Sequence, residues 1–383
     1  MINRIIDAPS DLPLSSIQVI EIGHSVAAPY CGQILADLGA RVIKIENPNG
    51  GDDARHWGPP FVQGSSATFQ SLNRNKDSIA LDFKCQRDRD KFFDLAANSD
   101  AIVQNMRPGL VEQFGIDADS LRARFPELIY CNLGAFGTEG PLNRHTGYDP
   151  LIQAFSGIMS VTGEPGRPPV RVGPSIIDQG TGMWCVIGIL SALLKRHETR
   201  VGTRIDTSLF EAGLSLMTVP IANAVASGKE PGKTGSETPM LAPYRAFRAR
   251  DRYIVIAAGN NNLFRRLCDT LGRPDLAQDG RFLQNADRVA NRQALNQQIA
   301  EVVAEQDADH WVAALDKVGV PCAAVNSVPE VLAHPQTSAL GMLLDGGDPK
   351  LGLVASPLRF DGVRPGLRGT APATPTSDVR VIP

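Results

Sequence analysis

An alternation of short apolar runs with helical segments constrains the fold of this 383-residue chain more than any other feature. Residues 18–22 form a β-branched run, residues 29–38 have helical spacing and end at Gly39, and residues 42–45 form a second run that ends at Glu46. A strand, a helix and a strand in this order make a β-α-β unit, whose strands are parallel. The sequence therefore predicts a parallel sheet at the start of the chain.

The alternation continues through the first third of the chain. Further strands are predicted at residues 78–83, 101–104 and 128–133, with helices at residues 88–98 and 120–125 between them. Such a pattern is typical of a doubly wound α/β sheet with helices on both faces. Ligands bind these sheets at the carboxyl ends of strands, and the loop that begins at Asn105 follows one of them.

The second half of the chain predicts a smaller α/β domain after a linker. A strand is predicted at residues 204–209 and a helix at residues 211–225. The linker, residues 227–243, is rich in Gly, Pro, Ser and Thr and shows no apolar periodicity. Beyond this linker the apolar spacing predicts strands at residues 253–258 and 322–326 and helices at residues 262–271, 292–305 and 309–318.

Composition and charge exclude several kinds of partner. The net charge is −3, and Lys and Arg are interleaved with Asp and Glu, so no basic face for nucleic acid or an anionic membrane is expected. The most apolar run, residues 183–194, is about half of the roughly 20 residues that span a bilayer and predicts a buried helix. The first 14 residues lack the apolar core of a signal peptide, and the six scattered cysteines show no metal-ligand spacing, which favours a reduced, metal-free, cytoplasmic protein.

A nicotinamide-dependent dehydrogenase is the first functional class that a parallel sheet suggests. Glu46 ends the second strand, where a ribose-binding acid would lie. The turn of residues 23–29 lacks the spaced glycines that let a backbone approach a pyrophosphate, which disfavours this class.

Asp178 is the acidic residue that is best placed to take part in a reaction. Residues 171–177 are predicted as an extended segment that places it at the start of a long apolar helix, beside Gly180 and Gly182, which would let a ligand approach the main chain. There it is either a nucleophile or a simple helix cap. Asp149, at the start of another predicted helix, is a second candidate acid.

Six ordered segments resemble the class III coenzyme A transferases, a family that includes formyl-CoA transferase, carnitine CoA-transferase and the related α-methylacyl-CoA racemases. They are IEIGHSVAAPYCGQILADLGARVIKIENPNGGD, NRNKDSIALDFK, NMRPGLVEQFG, GYDPLIQAFSGIMSVTG, RVGPSIIDQGTG and GTRIDTSLFEAG. The resemblance implies a large domain (residues 1–226), a linker and small domain (227–330) and a final segment that returns to the large domain (331–383). It also implies a homodimer of two interlocked chains.

The resemblance further implies a reaction and its residues. Asp178 would be the nucleophile that carries acyl and CoA groups between an acyl-CoA donor and a carboxylic acid acceptor. CoA, the substrate rather than a permanent cofactor, would lie near Glu46, Asn47, Arg74, Lys76, Asn105 and Tyr148. Gly180 and residues 259–262 would donate N–H groups to the oxyanions. His24, His145 and Met217 are interpreted as structural.

The racemase branch is the alternative within the family. Those enzymes use a His before the acid that matches Asp149 and a Glu near the small domain, whereas this chain has Tyr148 and Asn261. The segment of residues 250–262 is too short for the glycine-rich loop of formyl-CoA transferase, which disfavours formate or oxalate. Arg171, seven residues before Asp178, is expected to anchor the far carboxylate of a dicarboxylic acceptor such as succinate.

Overall fold

A computed structural model describes residues 5–6 and 11–375 of the chain, and these residues form two compact units. Within the described residues, the larger unit comprises Met1–Ile158, Arg171–Gly228 and Pro335–Pro383, and the smaller unit comprises Met159–Val170 and Lys229–His334. The boundaries expected after residues 226 and 330 differ from these by a few residues. The inclusion of Met159–Val170 in the smaller unit had no counterpart in the sequence prediction.

The larger unit is built on a parallel sheet of six strands, which confirms the predicted α/β fold. In chain order the strands are β1 (Gln18–Ile22), β2 (Arg41–Glu46), β3 (Lys76–Ala80), β4 (Ala101–Gln104), β5 (Ile129–Gly134) and β6 (Arg204–Ser208). They lie in the order β3-β2-β1-β4-β5-β6, and all adjacent pairs are parallel. The order reverses between β1 and β4, so a ligand crevice is expected at the carboxyl ends of these two strands.

Helices connect and cover these strands. Those of the first 228 residues are α1 (Ala27–Asp37), α2 (Ala67–Leu72), α3 (Gln86–Ala97), α4 (Leu110–Phe114), α5 (Ala118–Arg124), α6 (Asp149–Phe155), α7 (Ile158–Val161), α8 (Ile176–Thr199), α9 (Leu209–Leu216) and α10 (Thr218–Ser227). The structure therefore has two helices, α9 and α10, where the sequence predicted a single helix at residues 211–225. The chain bends by 60° between α9 and α10, and Pro220 lies in the first turn of α10, where its missing N–H costs no hydrogen bond.

Helix α8 packs closely on α1. A Cβ atom added at Gly182 would lie 2.8 Å from the carbonyl oxygen of Ala27, so this glycine admits the backbone of α1 rather than a ligand. By length and composition α8 could cross a membrane, and α9 with α10 would qualify only as one bent span. One face of α8 packs against α1, β5 and β6, whereas Trp184, Ile187 and Leu194 are exposed, so the helix predicted to be buried is only partly buried.

The smaller unit holds a three-stranded antiparallel sheet in the order β7-β8-β9. These strands are Tyr244–Arg248, Tyr253–Ala257 and Cys322–Ala324, and the helices are α11 (Asn261–Thr270), α12 (Pro274–Gln278), α13 (Asn285–Ala290), α14 (Arg292–Val303), α15 (Ala308–Lys317) and α16 (Val328–Ala333). Phe264, Leu295 and Trp311 pack into its core.

The last described residues return to the larger unit after α17 (Pro335–Leu340). Arg368 Nη2 donates to the carbonyl of Ala36 (2.7 Å), Asn75 N donates to Gly369 (2.9 Å), and Arg55 Nη1 donates to Pro372 (3.1 Å). Two-residue strands pair Ile5–Ile6 with Arg364–Pro365, Phe61–Val62 with Ser65–Ser66, and Leu343–Leu344 with Leu353–Val354.

Candidate active site

The loop after β1 is held rigidly at the point where the strand order reverses. His24 N donates to Asn105 Oδ1, and Asn105 Nδ2 donates to the carbonyl of His24, both at 3.0 Å. Asn105 follows β4, so these two bonds join the carboxyl ends of β1 and β4. Ser25 N in turn donates to Asp52 Oδ1 at 3.0 Å.

A buried network of ion pairs supports this loop from below. Lys44 Nζ lies 2.7 Å from Glu21 and 2.9 Å from Asp52, and it donates to the carbonyl of Gly23 at 2.6 Å. Burial lowers the pKa of Lys44, but the carboxylates of Glu21 and Asp52 outweigh it and raise that pKa above its usual value. Lys44 therefore stays charged and fixes the backbone where β1 ends.

Asp149 provides the cap for α8, the helix that carries Asp178. Its Oδ1 atom accepts hydrogen bonds from the N–H groups of Ile177 (2.8 Å) and Asp178 (3.2 Å). Its Oδ2 atom accepts from Gln153 Nε2 at 2.6 Å, and Gln153 Oε1 accepts from Val172 N at 2.8 Å. Asp178 is therefore not the helix cap, and it lies in the first turn of α8.

Asp178 lines a cavity of about 140 Å³ at the carboxyl ends of the strands. Burial, and to a smaller extent the negative charge of Asp149, raise the pKa of Asp178 from 3.8 to about 7. A carboxyl group with this pKa is only partly ionised at neutral pH, because burial disfavours its charged form.

Three residues predicted for the site come together around this cavity, namely Asp178, Asn105 and Tyr148. Ser25, Arg107 and the rings of His24 and His145 line it as well. Burial lowers the pKa of His24, so this imidazole is neutral at physiological pH.

A second groove, of about 460 Å³, shares His24, Met106 and Arg107 with the Asp178 cavity. Glu46 and Asn47 line it, together with the aromatic rings of Phe83 and Phe114 and the side chain of Lys84. The ion pairs of the described residues include neither Arg107 nor Lys84, and both residues are exposed. The groove thus combines apolar walls with two cations, which is a suitable lining for a nucleotide.

Arg74 and Lys76 line neither cavity. Arg74 makes a bidentate ion pair with Asp37, at 2.6 and 3.0 Å. Lys76 Nζ lies 2.8 Å from Glu21, and burial lowers its pKa to about 8. Both side chains are buried, so neither offers a free charge to a phosphate. Glu46 lines the groove, but its carboxylate is held by Arg55 at 2.7 Å.

Two other expected contributions do not match the geometry. Arg171 is exposed, donates to the carbonyls of Val172 and Gly173, and does not line the Asp178 cavity. Gly180 is the fifth residue of α8, where the backbone N–H is used by the helix itself, so it cannot donate to an oxyanion.

The sequence interpretation did not identify Asp149 as the cap of α8, nor Ser25 and Arg107 as lining residues of the cavity. Ser25 and Arg107 each lie three residues after the end of β1 or β4, and that position was a usable signal, because side chains after adjacent parallel strands meet at one edge of the sheet. Among the described residues, no group of three or more His, Cys, Asp or Glu side chains is arranged to hold a metal ion.

Comparison with known proteins identifies the family of this chain. The profile described as CoA-transferase family III matches residues 14–376. The acetyl-CoA:oxalate CoA-transferase of Acetobacter aceti is 40% identical over 88% of this chain and 86% of its own length. The succinate–glutarate CoA-transferase of Agrobacterium fabrum is 37% identical over 87% and 85% of the two chains. The crystal structure of a CAIB/BAIF family protein from Brucella suis superposes with a TM-score of 0.86 at 40% identity, over 96% of this chain and 97% of that one. The chain therefore belongs to CoA-transferase family III.

Proposed function

We propose that this CoA-transferase moves CoA from an acyl-CoA thioester to a small dicarboxylic acid through covalent intermediates on Asp178. The observation that carries the proposal is the position of the Asp178 carboxyl. It lies in a cavity at the reversal of strand order, next to a groove that suits a nucleotide. The ion pairs of the described residues do not include it, so its oxygens are available to a substrate.

The chemistry begins when the ionised Asp178 carboxylate attacks the thioester carbonyl of the donor. The C–S bond breaks, and the products are a mixed anhydride and CoA thiolate. The thiolate then attacks the aspartyl carbonyl of the anhydride, which releases the donor acid as a carboxylate and leaves an aspartyl-CoA thioester. The acceptor carboxylate attacks this thioester, and the returning thiolate takes the acceptor acyl group and frees Asp178.

The groove beside the cavity is the proposed site of the CoA nucleotide. Phe83 and Phe114 provide apolar surface for the adenine, with Glu46 and Asn47 at the edge of the groove. Lys84 and Arg107 supply charge for the phosphates, in place of Arg74 and Lys76, whose charges are neutralised by Asp37 and Glu21. The shared residues His24, Met106 and Arg107 let the pantetheine arm run from this groove to Asp178.

The proposed acceptor is a dicarboxylate because the cavity offers polar groups beyond the nucleophile. His145 and Tyr148 line it and could bind the far carboxylate, whereas Arg171 lies outside it. The named relatives act on oxalate and glutarate, which are dicarboxylic acids. Since a relative named for oxalate is 40% identical, the short segment of residues 250–262 does not by itself exclude oxalate.

The proposed assembly is an interlocked homodimer in the cytoplasm. Large apolar side chains are exposed on α8 and α10, among them Trp184 (48% exposed), Leu194 (72%) and Val225 (80%). Soluble monomers rarely expose so much apolar surface, and a second copy of the chain would cover it. The six cysteines are free thiols, which suits a reducing compartment.

Replacing Asp178 tests the nucleophile. We expect Asp178→Ala to bind CoA normally but to lose transfer by about four to six orders of magnitude, because only binding effects remain. Exposure of the wild-type enzyme to acyl-CoA followed by hydroxylamine should place the modification on Asp178, as read by peptide mass spectrometry. Asp94→Asn, which changes an exposed acid on α3, is the matched control. A modification elsewhere, or near-normal turnover of Asp178→Ala, would contradict the proposal.

The acceptor class and the racemase alternative are tested with substrates. We expect a higher kcat/KM for succinate than for butyrate, since a charged hydrogen bond contributes about 1.5 to 3 kcal/mol. A preference for butyrate would rule out the dicarboxylate. In deuterated water, a 2-methylacyl-CoA should not gain deuterium at its α-carbon, because Tyr148 replaces the His of the racemases. Exchange at the rate of catalysis would instead favour the racemase.

A further inference from the structure

Ser25 lines the Asp178 cavity and carries a hydroxyl group that the reaction scheme above does not use. Ser25 and Asp178 line the same cavity of about 140 Å³. The Oγ atom is shielded from solvent and has no hydrogen-bond partner among the residues that the structure describes. A buried hydroxyl without a partner destabilises a folded protein, so its retention at this position calls for a ligand that accepts the bond.

The backbone fixes where this hydroxyl lies. Ser25 has a φ of 70°, in the left-handed region that non-glycine residues seldom adopt. Its N–H donates to Asp52. Both the N–H and the carbonyl of the preceding residue, His24, are hydrogen-bonded to the side chain of Asn105. Because Asp52 is itself held by Lys44, the backbone of Ser25 is fixed, and its hydroxyl can change position only by rotation about χ1. Strained residues of this kind concentrate at functional sites.

The proposed reaction needs a hydrogen-bond donor at this cavity. When Asp178 attacks a thioester, negative charge develops on the carbonyl oxygen, and a fixed donor stabilises it. The start of α8 cannot supply the donor, because Asp149 accepts from the N–H groups of Ile177 and Asp178 and the helix uses that of Gly180. Ser25 offers an O–H group that no protein atom among the described residues accepts.

We propose that the Ser25 hydroxyl donates a hydrogen bond to the carbonyl oxygen of the acyl group that Asp178 attacks. The proton stays on Ser25, and the bond strengthens as the oxygen becomes an oxyanion. This inference rests on the proposed role of Asp178 as the nucleophile, and it adds a catalytic residue to it. The ligand that Ser25 recognises is the thioester or anhydride carbonyl, irrespective of the acid that carries it.

Ser25→Ala and Ser25→Gly test the inference together. Both remove the donor, and we expect each to lower kcat about a hundredfold, with the dissociation constant for CoA within twofold of wild type. Thermal unfolding should show an unchanged or higher midpoint for Ser25→Ala, and a higher one for Ser25→Gly, since glycine adopts a positive φ without strain. Ser71→Ala on α2, whose hydroxyl already donates to Thr68, is the control and should change neither property.

Two outcomes would overturn the inference. One is a kcat within twofold of wild type in both Ser25 variants. The other is a loss of activity matched by weaker CoA binding or a lower midpoint, which would mean that Ser25 only shapes the loop. Measuring Asp178→Asn in parallel distinguishes a failure of the Ser25 inference from a failure of the proposed function. If Asp178→Asn is inactive and the Ser25 variants are normal, only the role of Ser25 fails, whereas an active Asp178→Asn refutes the nucleophile itself.

Discussion

Asp178→Asn should make the protein more stable at neutral pH while it abolishes transfer. The folded protein holds the Asp178 carboxyl in a partly buried site beside Asp149, and its pKa is about 7 instead of 3.8. Between these two values the unfolded chain has released the proton and the folded chain has kept it. The wild-type protein therefore loses stability as pH rises from about 4 to 7 and loses no more above 7. Asparagine has nearly the same shape and no charge to bury, so its variant escapes this loss.

The size of the effect follows from the two pKa values. At about 1.4 kcal/mol per pKa unit, the full penalty on wild type is about 4 kcal/mol per subunit above pH 7 and about 2 kcal/mol at pH 5. The stability advantage of Asp178→Asn should thus grow by about 1 to 3 kcal/mol per subunit between pH 5 and pH 8, and the lower end allows for the remaining solvent contact of the carboxyl.

Urea unfolding of both proteins at pH 5 and pH 8, at one fixed protein concentration, measures this growth. Asp94→Asn, at an exposed position on α3, is the control for the substitution itself. An advantage of Asp178→Asn that stays constant between the two pH values would refute the reasoning, because it would mean that Asp178 titrates normally in the folded state.

Three further predictions concern the same site and the assembly. Wild-type kcat/KM should fall about tenfold for each pH unit below 7, since only the ionised Asp178 attacks, and a flat profile down to pH 5 would contradict the pKa of about 7. Asp149→Asn should move this acid limb to lower pH, because it removes a negative charge beside Asp178. It should also lower the free energy of unfolding by about 1 to 2 kcal/mol, because Gln153 loses its acceptor. Sedimentation should show a dimer down to nanomolar concentration, and a folded monomer would exclude interlocked chains.

The sequence predicted most elements of the larger unit because their apolar periods are local. The strand at Ala101–Gln104 was predicted to the residue, and Gln18–Ile22 likewise. The third strand was predicted at residues 78–83 but lies at Lys76–Ala80, because the chain begins it with a buried lysine paired to Glu21. Hydropathy alone does not detect a buried charge whose partner is 55 positions away.

The site was predicted in part, and the errors have the same non-local origin. Asp178 was placed at a helix start, but the helix begins two residues earlier, and its cap is Asp149 from another helix. Residues 171–177 gave no sign of this, since a distant carboxylate replaces the local cap that sequence patterns contain. Arg74 and Lys76 were assigned to phosphates because a list of charges does not show that Asp37 and Glu21 already neutralise them. The strand Tyr244–Arg248 was missed because three of its five residues are polar or charged, which leaves too few apolar residues to reveal the alternation of a strand.

The return of the last described residues to the larger unit sets the order in which the protein can mature on the ribosome. Arg55, which holds Glu46 at the groove of about 460 Å³, donates to the carbonyls of Pro372 and Ala373, more than 300 residues later in the chain. Asn75 and Arg368 make similar long-range bonds. While the polypeptide is still being synthesised, the larger unit, which includes Asp178, must wait without these contacts, whereas Lys229–His334 has already emerged. The groove lined by Glu46 therefore gains these contacts only after Pro372 and Ala373 have emerged, and a nascent chain that stops before them lacks the contacts.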